Sequence, residues 1–133
     1  MRRYRPAALL VLSLIFLSVH AETLTGRVVR VTDGDTIVVL DMDKVQHKIR
    51  LQGIDAPERG QAFGTKSKEN LSDLVAGKSV VVDYSKYDRY GRVLGKVIVN
   101  GKDVNLEQVE ADMAWHYKAC HPGHAHSASM TRR

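Results

Sequence analysis

Val45-Gln46-His47-Lys48-Ile49-Arg50-Leu51-Gln52 alternates apolar or weakly polar residues with strongly polar ones, ending at Gly53. A period of two is the mark of a strand with one buried face. The spacing predicts Val45, His47, Ile49 and Leu51 inward, with Gln46, Lys48, Arg50 and Gln52 outward. Upstream, Ile37-Val38-Val39-Leu40 is a β-branched run, bounded by turn signals at Asp33-Gly34 and at Asp41-Met42-Asp43-Lys44. Leu24 to Gly53 therefore reads as a three-stranded meander, which Pro57 and Gly60 end.

Beyond it the period changes. Between Gln61 and Ala76, Phe63, Leu71, Leu74 and Val75 fall on one face of a helix, with Gly77 as its stop. Lys78 to Tyr84 and Arg92 to Val99 read as the fourth and fifth strands, and Asn100-Gly101 is a tight-turn signal. Asn105 is the expected N-cap of a short helix carrying Leu106, Val109 and Met113. Three strands, a helix, two strands and a helix predict a mainly β, α+β protein. The expected architecture is a five-stranded OB-fold barrel with one inserted helix and a short helix after strand 5.

The N-terminus has a different character. Met1 to Arg5 is cationic, Ala7 to Val19 is apolar, and Val19-His20-Ala21 places small residues where a signal peptidase reads. The apolar run falls short of the roughly 20 residues that span a bilayer. Residues 1–21 are expected to be a signal peptide cut after Ala21, giving a secreted or periplasmic protein without a membrane anchor. Of 133 residues, 112 then remain, enough for one small domain over 22–118. Arg2, Arg3 and Arg5 leave with the leader, so 17 of the 20 basic residues face 15 acidic ones, a net charge of +2 rather than +5. Mild basicity permits a polyanionic partner without requiring one. The single cysteine, Cys120, excludes an internal disulfide. Residues 119–133 lack hydrophobic periodicity and are expected to be a disordered tail. Cys120, His121, His124 and His126 match soft-metal ligands by type, but outside any expected element.

Two acidic clusters, Asp33-Gly34-Asp35 and Asp55-Ala56-Pro57-Glu58, lie at the edges of the strands. Clustered carboxylates repel one another unless a cation or a reacting proton uses them. Hard oxygen ligands suit Ca²⁺ or Mg²⁺, and the guanidinium forks of Arg50 and Arg92 suit phosphate oxygens. These residue types together point to a metal-assisted phosphodiesterase. Each also has a plainer reading. Asp33 reads as a turn or supporting residue more readily than a ligand; Glu58 could be a solvated carboxylate and Arg50 an ordinary surface base. Trp115 fits rim packing as well as nucleotide contact.

Val31-Thr32-Asp33-Gly34-Asp35-Thr36, then Ile49 to Glu58, then Asp88-Arg89-Tyr90-Gly91-Arg92, is similar in order and spacing to the staphylococcal-nuclease-like (thermonuclease) family, from about Leu24 to Lys118. That resemblance implies a secreted, Ca²⁺-dependent nuclease acting on DNA and RNA, single-stranded or frayed by preference. It implies cleavage of the 5′ P–O bond to leave 3′-phosphates. By position, Asp35, Asp55 and the Ala56 backbone carbonyl would hold the metal, with Asp33 and Thr36 in support. Glu58 would be the general base, and Arg50 and Arg92 the phosphate-binding pair. Arg89, Tyr90, Trp115 and Tyr117 would contact substrate, and the protein would act as a monomer. The family pattern continues into a long C-terminal helix, where this chain has Ala119-Cys120-His121-Pro122-Gly123. Asp112 stands where the family usually has glycine at a helix end, and Glu110 where a basic residue is common. The alternative to an enzyme is a non-catalytic OB-type module that binds single strands, or a truncated inactive copy.

Overall fold

In a computed structural model, residues 21–116 are described, with Arg3, Ser13 and Ile15 besides. Most of the leader, Tyr117, Lys118 and the tail from 119 therefore lie outside the described residues. The elements are β1 (Glu22–Asp33), β2 (Thr36–Asp41), β3 (Gln46–Leu51), β4 (Ile54–Asp55), α1 (Gly64–Val75), β5 (Ser79–Tyr87), β6 (Val93–Val99), β7 (Lys102–Asp103), α2 (Val104–Glu110) and β8 (Trp115–His116).

Strands β3, β2, β1, β5 and β6 follow one another as antiparallel neighbours. A parallel pairing of β3 with β6, Ile49 opposite Val93 and Leu51 opposite Gly95, closes the ring. This is the five-stranded mixed barrel, with two helices, that the sequence predicts. Closure removes the exposed edges that an open sheet would present. The inward residues are β-branched or small: Val28, Ile37, Val39, Ile49, Val80, Val82 and Val97 are each at most 2% exposed. Each such side chain contributes about 1.5–3 kcal/mol on burial. Leu71 and Val75 of α1 and Val104 of α2 join the same cluster.

Three local expectations are corrected. Val45 is 50% exposed and precedes β3, so the inward set of that strand is Ile49 and Leu51 with His47 half-buried. Phe63 is not on the buried face of α1. It is the N-cap, with φ of 64°, and its ring is 62% exposed; a left-handed residue cannot continue the helical stripe. The buried stripe is Gly64, Ser67, Leu71 and Val75. The N-cap of α2 is Asp103, whose carboxylate accepts from the Leu106 amide at 3.1 Å. Asn105 is instead 6% exposed, and its amide spans the barrel closure. Its Oδ1 accepts from the Val97 amide, and its Nδ2 donates to the Gln52 and Gly95 carbonyls at 3.0 and 3.1 Å. The Asn100-Gly101 turn has positive φ at both residues, 50° and 77°, as a tight β6–β7 hairpin requires.

Candidate active site at one barrel rim

The turn Gly34-Asp35 joins β1 to β2, where Asp33 pairs with Thr36. It is tight for a reason beyond the hairpin: a Cβ on Gly34 would collide with the Ser67 side chain of α1. Asp35 is 7% exposed. Its backbone carbonyl accepts from the Leu51 amide at 2.8 Å, which docks the turn on the end of β3. Its carboxylate accepts from the Thr36 hydroxyl at 2.9 Å and from the Ala56 amide at 3.0 Å. The second acidic segment is thus tied directly to the first.

Arg50 sits between them. Its Nη1 lies 3.3 Å from Asp35 Oδ2 and its Nη2 3.1 Å from Asp55 Oδ1. Nη1 also donates to the Ile54 carbonyl at 2.9 Å and the Leu51 carbonyl at 3.2 Å. Burial pushes the Asp55 carboxyl above the ordinary aspartate range; Arg50 pulls it back in part, and the neighbouring Asp35 carboxylate pushes it further up. Two carboxylates close enough to couple, with one guanidinium between them, are short of positive charge. They are the residues here that could hold a cation. Among the described residues no set of three or more His, Cys, Asp or Glu assembles. Two carboxylates are hard oxygen donors of the type that Ca²⁺ accepts.

The third motif forms the β5–β6 connection. Asp88 Oδ1 accepts from the Tyr90 and Arg92 amides, each at 2.9 Å, and Oδ2 accepts from Arg92 Nε at 2.6 Å. Burial alone would raise the Asp88 carboxyl, but these Arg92 and Tyr90 contacts hold it below the usual range. Arg92 immediately precedes Val93, the first residue of β6 and the partner of Ile49 in the parallel closure, while Arg50 pairs with Leu94. Its guanidinium lies 5.5 Å from the centre of the Tyr90 ring, and that of Arg89 lies 4.9 Å from it. Tyr90 is 69% exposed, a wet aromatic face flanked by two cations.

Glu58 is exposed; its amide donates to the Gln61 side-chain oxygen at 2.7 Å, while its own carboxylate makes no hydrogen bond or ion pair among the described residues. Trp115 is half-buried and lies opposite Asp55 in the β4–β8 pair. The Asp33 side chain makes no hydrogen bond among the described residues. Tyr117 lies outside them.

A support that the sequence reading missed lies behind the acidic turn. Gln108, fully buried on α2, donates to the Gly34 carbonyl at 2.7 Å and to the Ser67 carbonyl at 3.1 Å. Asn70 donates to its Oε1, and Ser67 Oγ donates to the Met113 carbonyl at 2.6 Å. One signal was available: Gln108 follows buried Val104 by four residues, so it falls on the core face of its helix.

Fold and rim together define an OB-fold protein whose acidic and basic side chains converge at one end of the barrel. The family of staphylococcal nuclease homologues matches residues 48–133. An uncharacterized endonuclease of Escherichia coli is 47% identical over 119 residues, covering 89% of this chain and 75% of that protein. An uncharacterized endonuclease of Haemophilus influenzae is 43% identical, covering 88% and 66%. A micrococcal nuclease of Shigella flexneri is 42% identical over 102 residues, covering 70% and 58%. The chain belongs to the staphylococcal nuclease homologue family, a family of nucleic-acid hydrolases.

Proposed function

We propose that this protein is a Ca²⁺-dependent nuclease that hydrolyses phosphodiester bonds in both DNA and RNA, cutting the 5′ P–O bond to leave 3′-phosphates. It acts outside the cytosol, as a monomer, after loss of residues 1–21. The observation that carries the reading is the Arg50 bridge between Asp35 and Asp55, on the strand that pairs with β6 just after Arg92. A module that only binds nucleic acid has no use for two coupled carboxylates at the same rim.

Asp35, Asp55 and the Ala56 carbonyl would hold the ion. When bound, Ca²⁺ polarises the phosphoryl group and offsets negative charge on its oxygens. Arg92, and Arg50 once an ion draws Asp35 and Asp55 off its guanidinium, would present planar forks to the non-bridging oxygens, whose charge grows as the pentacoordinate state forms. Lysine would serve less well at either place, lacking the fork. Asp88 fixes Arg92 through Nε and leaves its two terminal nitrogens without a partner among the described residues, aimed for use by a ligand. Glu58, exposed and uncommitted, takes the proton from the attacking water. Tyr90, with Arg89 over its ring, offers a stacking face that accepts any base, which fits a substrate range set by backbone rather than sequence. Trp115, beside Asp55, and Tyr117 complete the expected nucleotide contacts. Bases must be unstacked to reach such a face, so single-stranded or frayed substrate is preferred.

The test is incubation of the mature protein with denatured DNA and with RNA, in Ca²⁺ and in EGTA, with end-group analysis of the products. Loss of polymer only with Ca²⁺, leaving 3′-phosphates, is the expected result. Polymer that survives in both conditions would leave a non-catalytic binding module.

A further inference from the structure

The barrel carries a second charged feature outside the rim. Strand β1 contains two irregularities, one between Val28 and Arg30 and one between Val31 and Asp33. Each is an extra residue that shifts the alternation of inward and outward side chains. Without them, Arg27 and Arg30 would point to opposite faces. With them, Arg27, Arg30 and Asp33 pair in turn with Leu40, Val38 and Thr36 of β2. Those three β2 residues pair in turn with Gln46, Lys48 and Arg50 of β3. Partners in register share a face, so three rungs stand side by side on the outside of the barrel: Asp33–Thr36–Arg50, Arg30–Val38–Lys48 and Arg27–Leu40–Gln46.

The first rung is the active rim itself. The next two rungs add Arg27, Arg30 and Lys48, all exposed, and no acidic residue. Among the described residues none of the three makes an ion pair. Val38 is only 3% exposed although it lies outside the barrel's core cluster, and Arg30 and Lys48 flank it on both sides. Their aliphatic stems are placed to cover it while the charged ends reach water. Successive rungs are about 7 Å apart, two residues along a strand. Unpaired cations gathered on one strip repel one another, so the strip is explained by a polyanion that lies along it.

We infer that Arg27, Arg30 and Lys48 form a phosphate-contacting track on the outer face of β1, β2 and β3, holding the single strand that runs away from the phosphate at Arg50. The track deepens the nuclease reading, on which its orientation rests, and gives the protein its grip on polymer over mononucleotide. It is sequence-independent, because every contact is to backbone phosphate.

The experiment compares wild type with R27Q/R30Q/K48Q, and with K66Q/K68Q on α1 as a control of charge alone. Binding of a single-stranded DNA 20-mer and of a nucleoside 3′,5′-bisphosphate is measured in EGTA across a range of salt. The track variant is expected to lose about tenfold or more in 20-mer affinity. Its salt dependence should be shallower by about 2 in log–log slope, because three phosphates are no longer neutralised. Bisphosphate affinity and the melting temperature stay at wild-type values, and the R27K/R30K variant keeps the 20-mer. Equal 20-mer affinity and slope in wild type and track variant would overturn the track. So would an equal loss in the α1 control, or a track variant that loses binding to anionic phosphatidylserine vesicles but keeps the 20-mer. The readout needs no turnover: a protein that fails to cleave yet shows the split keeps the track and loses the nuclease reading. Cleavage without the split does the reverse.

Discussion

The Gln108 side-chain nitrogen donates to the Gly34 carbonyl oxygen at 2.7 Å, joining helix α2 to the turn that presents Asp35. The same nitrogen reaches the Ser67 carbonyl, and Asn70 occupies its oxygen, so one amide joins both helices to the rim. Gln108→Leu keeps the approximate volume and strands two carbonyls and an amide. Each buried group left unpaired costs about 1–3 kcal/mol, so the loss is expected at roughly 2–4 kcal/mol, or a melting temperature lower by roughly 10–20 °C. Calorimetry with urea titration checks it, and an unchanged midpoint would show that the network contributes nothing net.

Asp55 is a charged group that the folded state disfavours. Its folded carboxyl binds protons more tightly than the unfolded value of 3.8, so the ion-free protein loses stability as pH rises through that window and stays at the lower level at neutrality. Asp55→Asn removes the penalty. The ion-free variant should melt above wild type at pH 7, and the two should converge as pH falls below about 3.8. Thermal melts in EGTA from pH 3 to 7 test the sign; a variant that melts lower at pH 7 would show that the Arg50 pairing outweighs burial. Ca²⁺ should stabilise wild type and leave the variant nearly unmoved.

The Glu58 residue is exposed and its carboxylate makes no hydrogen bond or ion pair among the described residues, while its backbone anchors the loop through Gln61. Glu58→Ala is expected to change stability by less than about 0.5 kcal/mol and to cut turnover by about 10²–10⁴. Single-turnover cleavage of a labelled oligonucleotide measures it. Turnover within a few-fold of wild type would remove Glu58 from the role of base.

Asp112 follows α2 with φ of 57°, a left-handed conformation that aspartate tolerates at a cost and glycine without one. Asp112→Gly should stabilise the protein by roughly 0.5–1 kcal/mol, part of the gain being offset by the extra freedom of glycine in the unfolded chain. Equilibrium urea unfolding reads the difference. A destabilised variant would mean that the aspartate side chain supplies more than it strains.

Much of the fold was legible because barrel strands must bury one face, and the alternation through Ile49 and Leu51 and the β-branched run at Ile37 record that requirement. The Asp112 strain was legible only through the family resemblance, which puts glycine at that helix end. Less visible was anything that depends on a distant partner. Asn105 has the chemistry of an N-cap, and Asp103, two residues earlier, took that place; closure of β3 against β6 left main-chain groups at Gln52, Gly95 and Val97 for Asn105 to satisfy. Phe63 had the right spacing for the buried stripe, and the turn into α1 directed it to solvent.

The chemical inventory, two acidic turns, two arginines and an Asp88-to-Arg92 hairpin, was set by residue order alone, because turn residues and strand periods act over a few positions. Which of those groups meet was settled only when the barrel closed. A parallel pairing between strands more than forty residues apart sets β6, which Arg92 precedes, against β3, which carries Arg50, and the Ala56 amide binds a carboxylate 21 residues earlier. Bulges in β1 likewise put Arg27 and Arg30 on one face against the period that the sequence suggests. Local preferences are written residue by residue, but charge coupling falls off with distance, so only the folded chain decides which charges act together.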